Sequence, residues 1–434
     1  MLLVKKTFRH GGYIPGNKEG TSHGAIRDLP IPDVVYMALE QYGGERCEPC
    51  VRVGDEVRPG QVISRGLLFP AVSHASLAGQ VLAVTQDTIH VLAGGDQTFH
   101  PSVCRVPEAM TPEELLEVVV QAGIQENDSQ GNHLYRRLTA ARDGRVSTLI
   151  VNGMESEPYL TGQSRSLRER SALLIFGAKA ALRLIGAERA LLALPGNDAE
   201  LLSMYKGLLS DEPALKVAAL KPRYPQGHHN QLVCALTGRE MPAGSLASDV
   251  GCLVLEVATL IALGEALVSG KPMIDRVISV SGPGVQQPGN YRVPIGTPFS
   301  HVLQHCGLSS AEEHQVIWGG PMTGFLLSDT SLPVTKDCEG LVVLPLQLAA
   351  HKARPFGDCV NCARCIEQCP QMLYPNELSL AAESGDTDAM VGLHVWGCSE
   401  CGLCSYVCPA NRPITQMNRA CKELLGGEKG GADR

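Results

Sequence analysis

Cys359-Val-Asn-Cys362-Ala-Arg-Cys365-Ile-Glu-Gln-Cys369-Pro370 and Cys398-Ser-Glu-Cys401-Gly-Leu-Cys404-Ser-Tyr-Val-Cys408-Pro409 are two copies of one pattern, C-x2-C-x2-C-x3-C-P. Three thiols this close together reach one compact group only if the chain folds a tight loop around it. The fourth, set before a proline, must reach another. A pattern that needs a fourth ligand from elsewhere comes in pairs, and here it does.

This is the run with which bacterial ferredoxins hold [4Fe–4S] cubes, three thiolates from one run and the fourth from the other. Two cubes are therefore expected. The ferredoxin pattern implies that Cys359, Cys362, Cys365 and Cys408 serve one, and Cys398, Cys401, Cys404 and Cys369 the other. Loop N–H groups turned toward the enclosed sulfides stabilise their charge. Zinc also takes four cysteines, but its sites pair two C-x2-C knuckles and have no use for a third Cys followed by Cys-Pro. A disulfide framework needs an oxidising compartment, and the sequence shows no secretory signal. Sixteen cysteines then point to a reduced cytoplasm and metal ligation.

At 434 residues the chain exceeds one ordinary domain, so several cores are expected. Aromatics make up 4%, while Gly and Pro number 46 and 28, which predicts many turns and short strands. The net charge of −8 argues against nucleic acid or an anionic membrane surface as a partner. No apolar run approaches the roughly 18 to 20 residues that cross a bilayer, so membrane association would go through other subunits.

Residues up to about 105 read as short strands around Gly-Asp and Pro-Gly turns, with Val51 to Ser64 and Ser73 to Val84 as a repeated unit. Such paired units resemble the sandwiched half-barrel of biotinyl and lipoyl domains. The attachment lysine is replaced by His74-Ala-Ser, so no arm is expected. Cys47 and Cys50 are either a redox pair or two plain thiols, and the missing second knuckle favours the latter.

From about 111 to 240 helices and strands alternate. Thr111-Pro-Glu-Glu opens a helix, Ser147 to Asn152 reads as a buried strand, Arg165 to Ile185 as a helix and Arg189 to Leu194 as a strand, the signature of a largely parallel sheet. Ligands in such layers sit at strand C-termini. There lies Asn152-Gly-Met-Glu155-Ser-Glu157-Pro-Tyr159, whose amide, carboxylates and phenol suit hydrogen bonding to a polar ring. A solvated acidic turn is the plainer alternative. Beyond Lys221, strands and a helix over about 254 to 269 suggest a small β-grasp module. Trp318-Gly-Gly-Pro-Met-Thr-Gly324 lacks the Lys-Ser/Thr of a phosphate-cradling loop and reads as structural. Cys338 is either a redox thiol or a buried inert one. Short helices follow Lys352, and the Gly-rich end from 423 to 434 is expected to be disordered.

Taken in order, Phe8-Arg-His-Gly-Gly12, Val53-Gly-Asp-Glu-Val, Val151 to Leu160, Tyr224-Pro-Gln-Gly227, Leu236 to Glu240, Pro288 to Tyr291, Ile295 to Pro298, Gly319 to Met322 and the two cysteine runs resemble the RnfC component of the Rnf electron-transport complex and its relative, the electron-transfer protein associated with D-proline reductase. The resemblance covers about residues 7 to 420.

It implies a multidomain α/β protein: a sandwiched barrel (1–108), an α/β domain similar to the flavin and NADH subunit of respiratory complex I (109–245), a soluble-ligand-binding β-grasp domain (246–348) and a two-cluster ferredoxin-type domain (349–422). In that family NADH reduces FMN, which passes single electrons to the clusters. By resemblance Asn152, Glu155 and Glu157 would face the flavin and nucleotide. Flavin-binding members carry a Gly-rich stretch where this chain has Gln125-Glu-Asn-Asp-Ser-Gln-Gly-Asn-His133. Glu126 and Asp128 there would repel a phosphate that glycines would let approach.

The expectation is thus a cytoplasmic electron-transfer protein relaying electrons through two [4Fe–4S] clusters to a partner reductase or to membrane-complex subunits on the inner face of the cell membrane. The alternative is an FMN-containing NADH-oxidising entry subunit. A scaffold stapled by its clusters is a third reading.

Overall fold

A computed structural model describes residues 3–42, 45–67, 70–101, 104–126, 133–144, 146–308, 313–346 and 355–429. Most of the loop that replaces the Gly-rich stretch, residues 127–132 with Asp128 and Gly131, lies outside them.

Thr148–Asn152 is buried along its whole length, as an apolar run covered on both faces requires. It lies between two partners, one strand in from the edge, in a five-stranded parallel sheet ordered Leu3–Lys6, Leu215–Leu220, Arg189–Pro195, Thr148–Asn152, Cys252–Glu256. Alternation sorts its side chains: Leu149 and Val151 enter the core beneath the helices Ser171–Ile185 and Val257–Ser269. Ile150 faces the opposite core, with Leu232 and Leu236 of the helix His229–Thr237. The first helix, Pro112–Gln121, carries the expected capping box between Thr111 and Glu114 with proline in its first turn.

Two four-stranded sheets form the barrel, from Val34–Ala38 to Thr88–Ala93, around Val35, Met37, Ile63, Val81 and Val91. Cys47 is buried in one of its strands and Cys50 exposed just after it. The β-grasp unit is a six-stranded mixed sheet crossed by the helix Phe299–Cys306. Among the described residues, α-helices from Arg364–Gln368 to Ile414–Lys429 form the C-terminal unit.

Four features depart from the sequence reading. Leu3–Lys6 leaves the barrel region to form the edge of the parallel sheet, and Arg27–Asp28 adds an edge to the β-grasp sheet. Cys252–Glu256 and Val257–Ser269, which the sequence assigns to a unit starting at 246, belong to the parallel sheet and its helical layer. The end expected to be disordered from 423 is helical through Lys429, because Cys421 and Leu425 are buried against Leu378 and Met390 and anchor its last turns.

Candidate functional site

The two cysteine runs fold alike, position for position. Asn361 and Ala363 take left-handed φ values of 51° and 61°, and their counterparts Glu400 and Gly402 take 53° and 79°. A short helix follows in each, Arg364–Gln368 and Leu403–Val407. Left-handed residues spaced between helical ones curl the backbone so that its N–H groups point inward, which suits a group rich in negative sulfur.

Cys359, Cys362, Cys365 and Cys408 line one small cavity together. In the other run Cys404, Cys398 and Cys369 are the charged neighbours of Cys401. Each run thus borrows its fourth cysteine from the other. Burial first, and the neighbouring thiols with it, pushes the Cys404 thiol up to about 12 and that of Cys401 higher still. Four sulfurs so placed are stable as thiolates only when a cationic metal group takes their charge, and loading it releases their protons. The N–H groups of Leu373 and Glu400 already point at the sulfurs of Cys369 and Cys398, each at 3.4 Å. The quartets differ in exposure. Cys362 is exposed beside Val360 at 65%, whereas Cys401 and Cys369 are 7% and 8% exposed.

A cavity of about 510 Å³ opens at the C-terminal ends of Thr148–Asn152 and Cys252–Glu256, where parallel sheets bind ligands. Its walls come from three units: Asn152 and Glu256, then Arg276 and Glu339 of the β-grasp unit, then Ser399 and Glu400 of the second cysteine loop. Through Ser399 and Glu400 the Cys398 loop borders the cavity, whereas no cysteine of the Cys359 quartet lines it and Cys362 is exposed. Enclosure, then the fields of Glu256, Glu155 and Glu157, lifts the Glu339 carboxyl to about 7 against the pull of Arg276. The cavity is acidic.

Asn152, Glu155 and Glu157 all line it, and each is engaged by the protein. Asn152 donates to Gly227 O at 2.9 Å and to Glu256 Oε1 at 2.7 Å. Glu155 accepts from the Gln163 and Ser164 N–H groups at 2.9 and 3.2 Å, capping the helix Gly162–Glu169. Glu157 accepts from Thr323 Oγ1 at 2.7 Å and Met322 N at 3.1 Å, tying the Gly-rich turn to the sheet. Burial raises its carboxyl above the ordinary range despite those bonds.

Two elements of the site are not visible in the cysteine or strand patterns. Tyr224 donates its hydroxyl to the Cys401 carbonyl at 2.5 Å and lies 3.4 Å from Glu157 Oε1, joining cavity wall to cysteine loop. Its backbone pairs with Gly12, and Gly11, at φ 75° and with no room for a Cβ beside Tyr224 O, donates to Gln368 O. The Phe8 to Gly12 stretch is thereby wedged against the second quartet's cover. The other element is Glu126, 8% exposed and held by Arg137 Nη1 at 2.6 Å. Cys338 is fully buried, with its thiol pushed up to about 12 by burial, which fits the inert alternative.

Family models match the chain in four successive stretches: the RnfC barrel sandwich hybrid domain over 6–99, the Nuo51 FMN-binding domain over 119–265, the SLBB domain over 277–326 and the 4Fe-4S dicluster domain over 358–412. The C component of the proton-translocating ferredoxin:NAD(+) oxidoreductase complex of Clostridium ljungdahlii is 31% identical over 87% of this chain and 85% of its own length. The C component of the ion-translocating oxidoreductase complex of Rhodobacter capsulatus is 33% identical, over 98% and 84%. The corresponding component from Edwardsiella ictaluri is 32% identical over 95% of this chain, which spans only 53% of that protein. An NAD+-reducing [NiFe]-hydrogenase structure shares the fold, with a TM-score of 0.52 and 19% identity over 75% of this chain and 68% of its own.

Proposed function

The chain belongs to the RnfC family, the C components of ion-translocating oxidoreductase complexes, and from that premise we propose that it is an electron-transfer protein holding two [4Fe–4S] clusters and passing electrons to a partner reductase or to membrane-complex subunits. The observation that carries this is the paired quartet geometry, one quartet bordering a ligand-sized cavity and the other at the surface. A bound [4Fe–4S] cube takes up and releases one electron at a time. Cys359, Cys362, Cys365 and Cys408 would hold one, and Cys398, Cys401, Cys404 and Cys369 the other. The inward-turned loop N–H groups stabilise their charge, and Tyr224, Gly12 and Met322 keep water from the inner quartet. No helix among the described residues is long and apolar enough to cross a membrane. The family's C components belong to ion-translocating complexes, and we propose that this chain meets the inner face of the membrane through partner subunits.

Iron and acid-labile sulfide in anaerobically purified protein test this. About eight irons per chain are expected, with paramagnetic signals on reduction. Zinc in their place would overturn the reading.

A second reading, an FMN-containing NADH-oxidising entry subunit, is favoured by the flavin-domain match over 119–265 and by the cavity's position. The described residues do not fit the mononucleotide's phosphate. Positive side chains on the wall are committed to the protein: Arg170 to Glu265, Arg276 to the Cys338 and Lys336 carbonyls, Arg419 to Glu400.

A further inference from the structure

The helix Val257–Ser269 directs its N-terminus at the cavity, and such an end, with unpaired N–H groups and the positive pole of the dipole, attracts anions. That place is taken. Glu126 accepts from the Glu256 N–H at 2.9 Å and from the Thr259 hydroxyl, the cap position and the first turn. Its other oxygen is held by Arg137, which is 4% exposed and also donates to Val254 O. Beside it Glu256 adds a second carboxylate, fixed by Asn152 and by Gln163 Nε2 at 2.9 Å. A carboxylate with two donors on one oxygen and a buried guanidinium on the other has the environment a bound phosphate would seek. A phosphate arriving there would meet two negative charges, with the nearby cation already paired.

We infer that Glu126, clamped by Arg137, is a built-in anion that fills the phosphate position of the cavity, so that the cavity refuses phosphate-bearing ligands, the flavin mononucleotide included. Glu126 then acts as a specificity residue. It leaves the acceptor-rich remainder of the cavity open to unphosphorylated, hydrogen-bond-donating ring compounds.

Flavin fluorescence quenching, which is blind to iron and so separates this inference from the cluster reading, supplies the test, with FMN and riboflavin as probes on the full-length cluster-loaded protein. The native protein is expected to bind riboflavin and to bind FMN more weakly. Glu126→Gln keeps the side-chain shape, removes the charge and frees Arg137, and is expected to raise FMN affinity at least about tenfold while leaving riboflavin unchanged. Glu126→Gln/Arg137→Gln should lose that gain. Native protein that binds FMN as tightly as riboflavin overturns the inference. So does Glu126→Gln protein that retains its cluster absorbance and gains nothing. Should the single variant fail to fold, the comparison of the two probes on the native protein still decides.

Discussion

Tyr224 shows how one side chain can join two sites that the sequence keeps far apart. Its hydroxyl satisfies the carbonyl of Cys401, 177 residues away, while its ring packs on Leu403. Tyr224→Phe leaves that carbonyl buried without a donor, and an unmet buried acceptor costs about 1–3 kcal/mol. The expected result is a lowered urea midpoint and faster bleaching of cluster absorbance in air. Unchanged values for both would reject the role. His74 offers a pH test. It is 3% exposed with an unpartnered Nδ1, and burial, then the charge of Lys336, hold its pKa at about 3 instead of 6.5. The unfolded chain therefore takes a proton below about pH 6.5 that the folded chain refuses until about 3, so stability is full above 6.5 and falls as the pH drops through that window. His74→Asn should flatten this limb of the urea midpoint against pH relative to the native protein, and parallel curves would refute the assignment. The cysteines were legible because metal chemistry fixes local spacing. Tyr224 and His74 were not, since their roles arise from contacts between units that no local pattern encodes; Glu126 was legible as a charge opposed to phosphate, but its clamp by Arg137 was not.

Among the helices, Ser171–Ile185 crosses Val257–Ser269 backbone against backbone. A Cβ on Gly177 would stand 1.9 Å from Leu260 O, and one on Gly264 2.3 Å from Leu173 O. Backbone, unlike a side-chain tip, cannot rotate away. Gly177→Ala must push the helices apart, at a cost of about 1–3 kcal/mol or more that outweighs the ~1 kcal/mol which Ala offers over Gly in a helix interior. Thermal unfolding should show a Tm several degrees lower, and an unchanged or raised Tm would mean the crossing is looser than described. Both helices were legible from their apolar content, but not which sheet the second one covers. Cys252–Glu256 is a short buried run that reads equally as the start of the next unit, and only its pairing with Thr148–Asn152 settles the matter. The same holds for Leu3–Lys6 and Arg27–Asp28, edge strands of four and two residues too short to carry a period. The acidic loop shows a different limit. The family resemblance turns Glu155 toward a ligand, yet its oxygens cap Gly162–Glu169, and a carboxylate seven positions before a helix looks the same in sequence whether it caps or binds.

At the scale of the whole molecule the Cys398 quartet sits beside the cavity wall and is the less exposed of the two, and the Cys359 quartet has the exposed cysteine. The cavity wall includes Ser399 and Glu400, and Arg419 and Lys422 clamp Glu400 at 2.9 Å each, fixing the inner loop to the last helix. The helices Arg364–Gln368 and Leu403–Val407 pack against each other and hold the two runs together. Solvent reaches Cys362 and Val360, whereas the Phe8 to Gly12 segment, Tyr224 and the Gly-rich turn cover Cys401. If electrons leave through the exposed quartet, that quartet must also be the one a chelator reaches first. Under mild oxidation with a ferrous chelator, iron should leave in two phases of about equal size, one per cube. The fast phase belongs to the Cys359 quartet. Cys365→Ser, which removes a ligand of that quartet alone, should abolish the fast phase and leave the slow one at its native rate. A single phase, or loss of the slow phase in Cys365→Ser, would place both quartets at equal depth and remove the basis for an inner and an outer cluster. Tyr224→Phe, acting on the inner cover, should speed only the slow phase, so the two substitutions together assign each phase to its quartet.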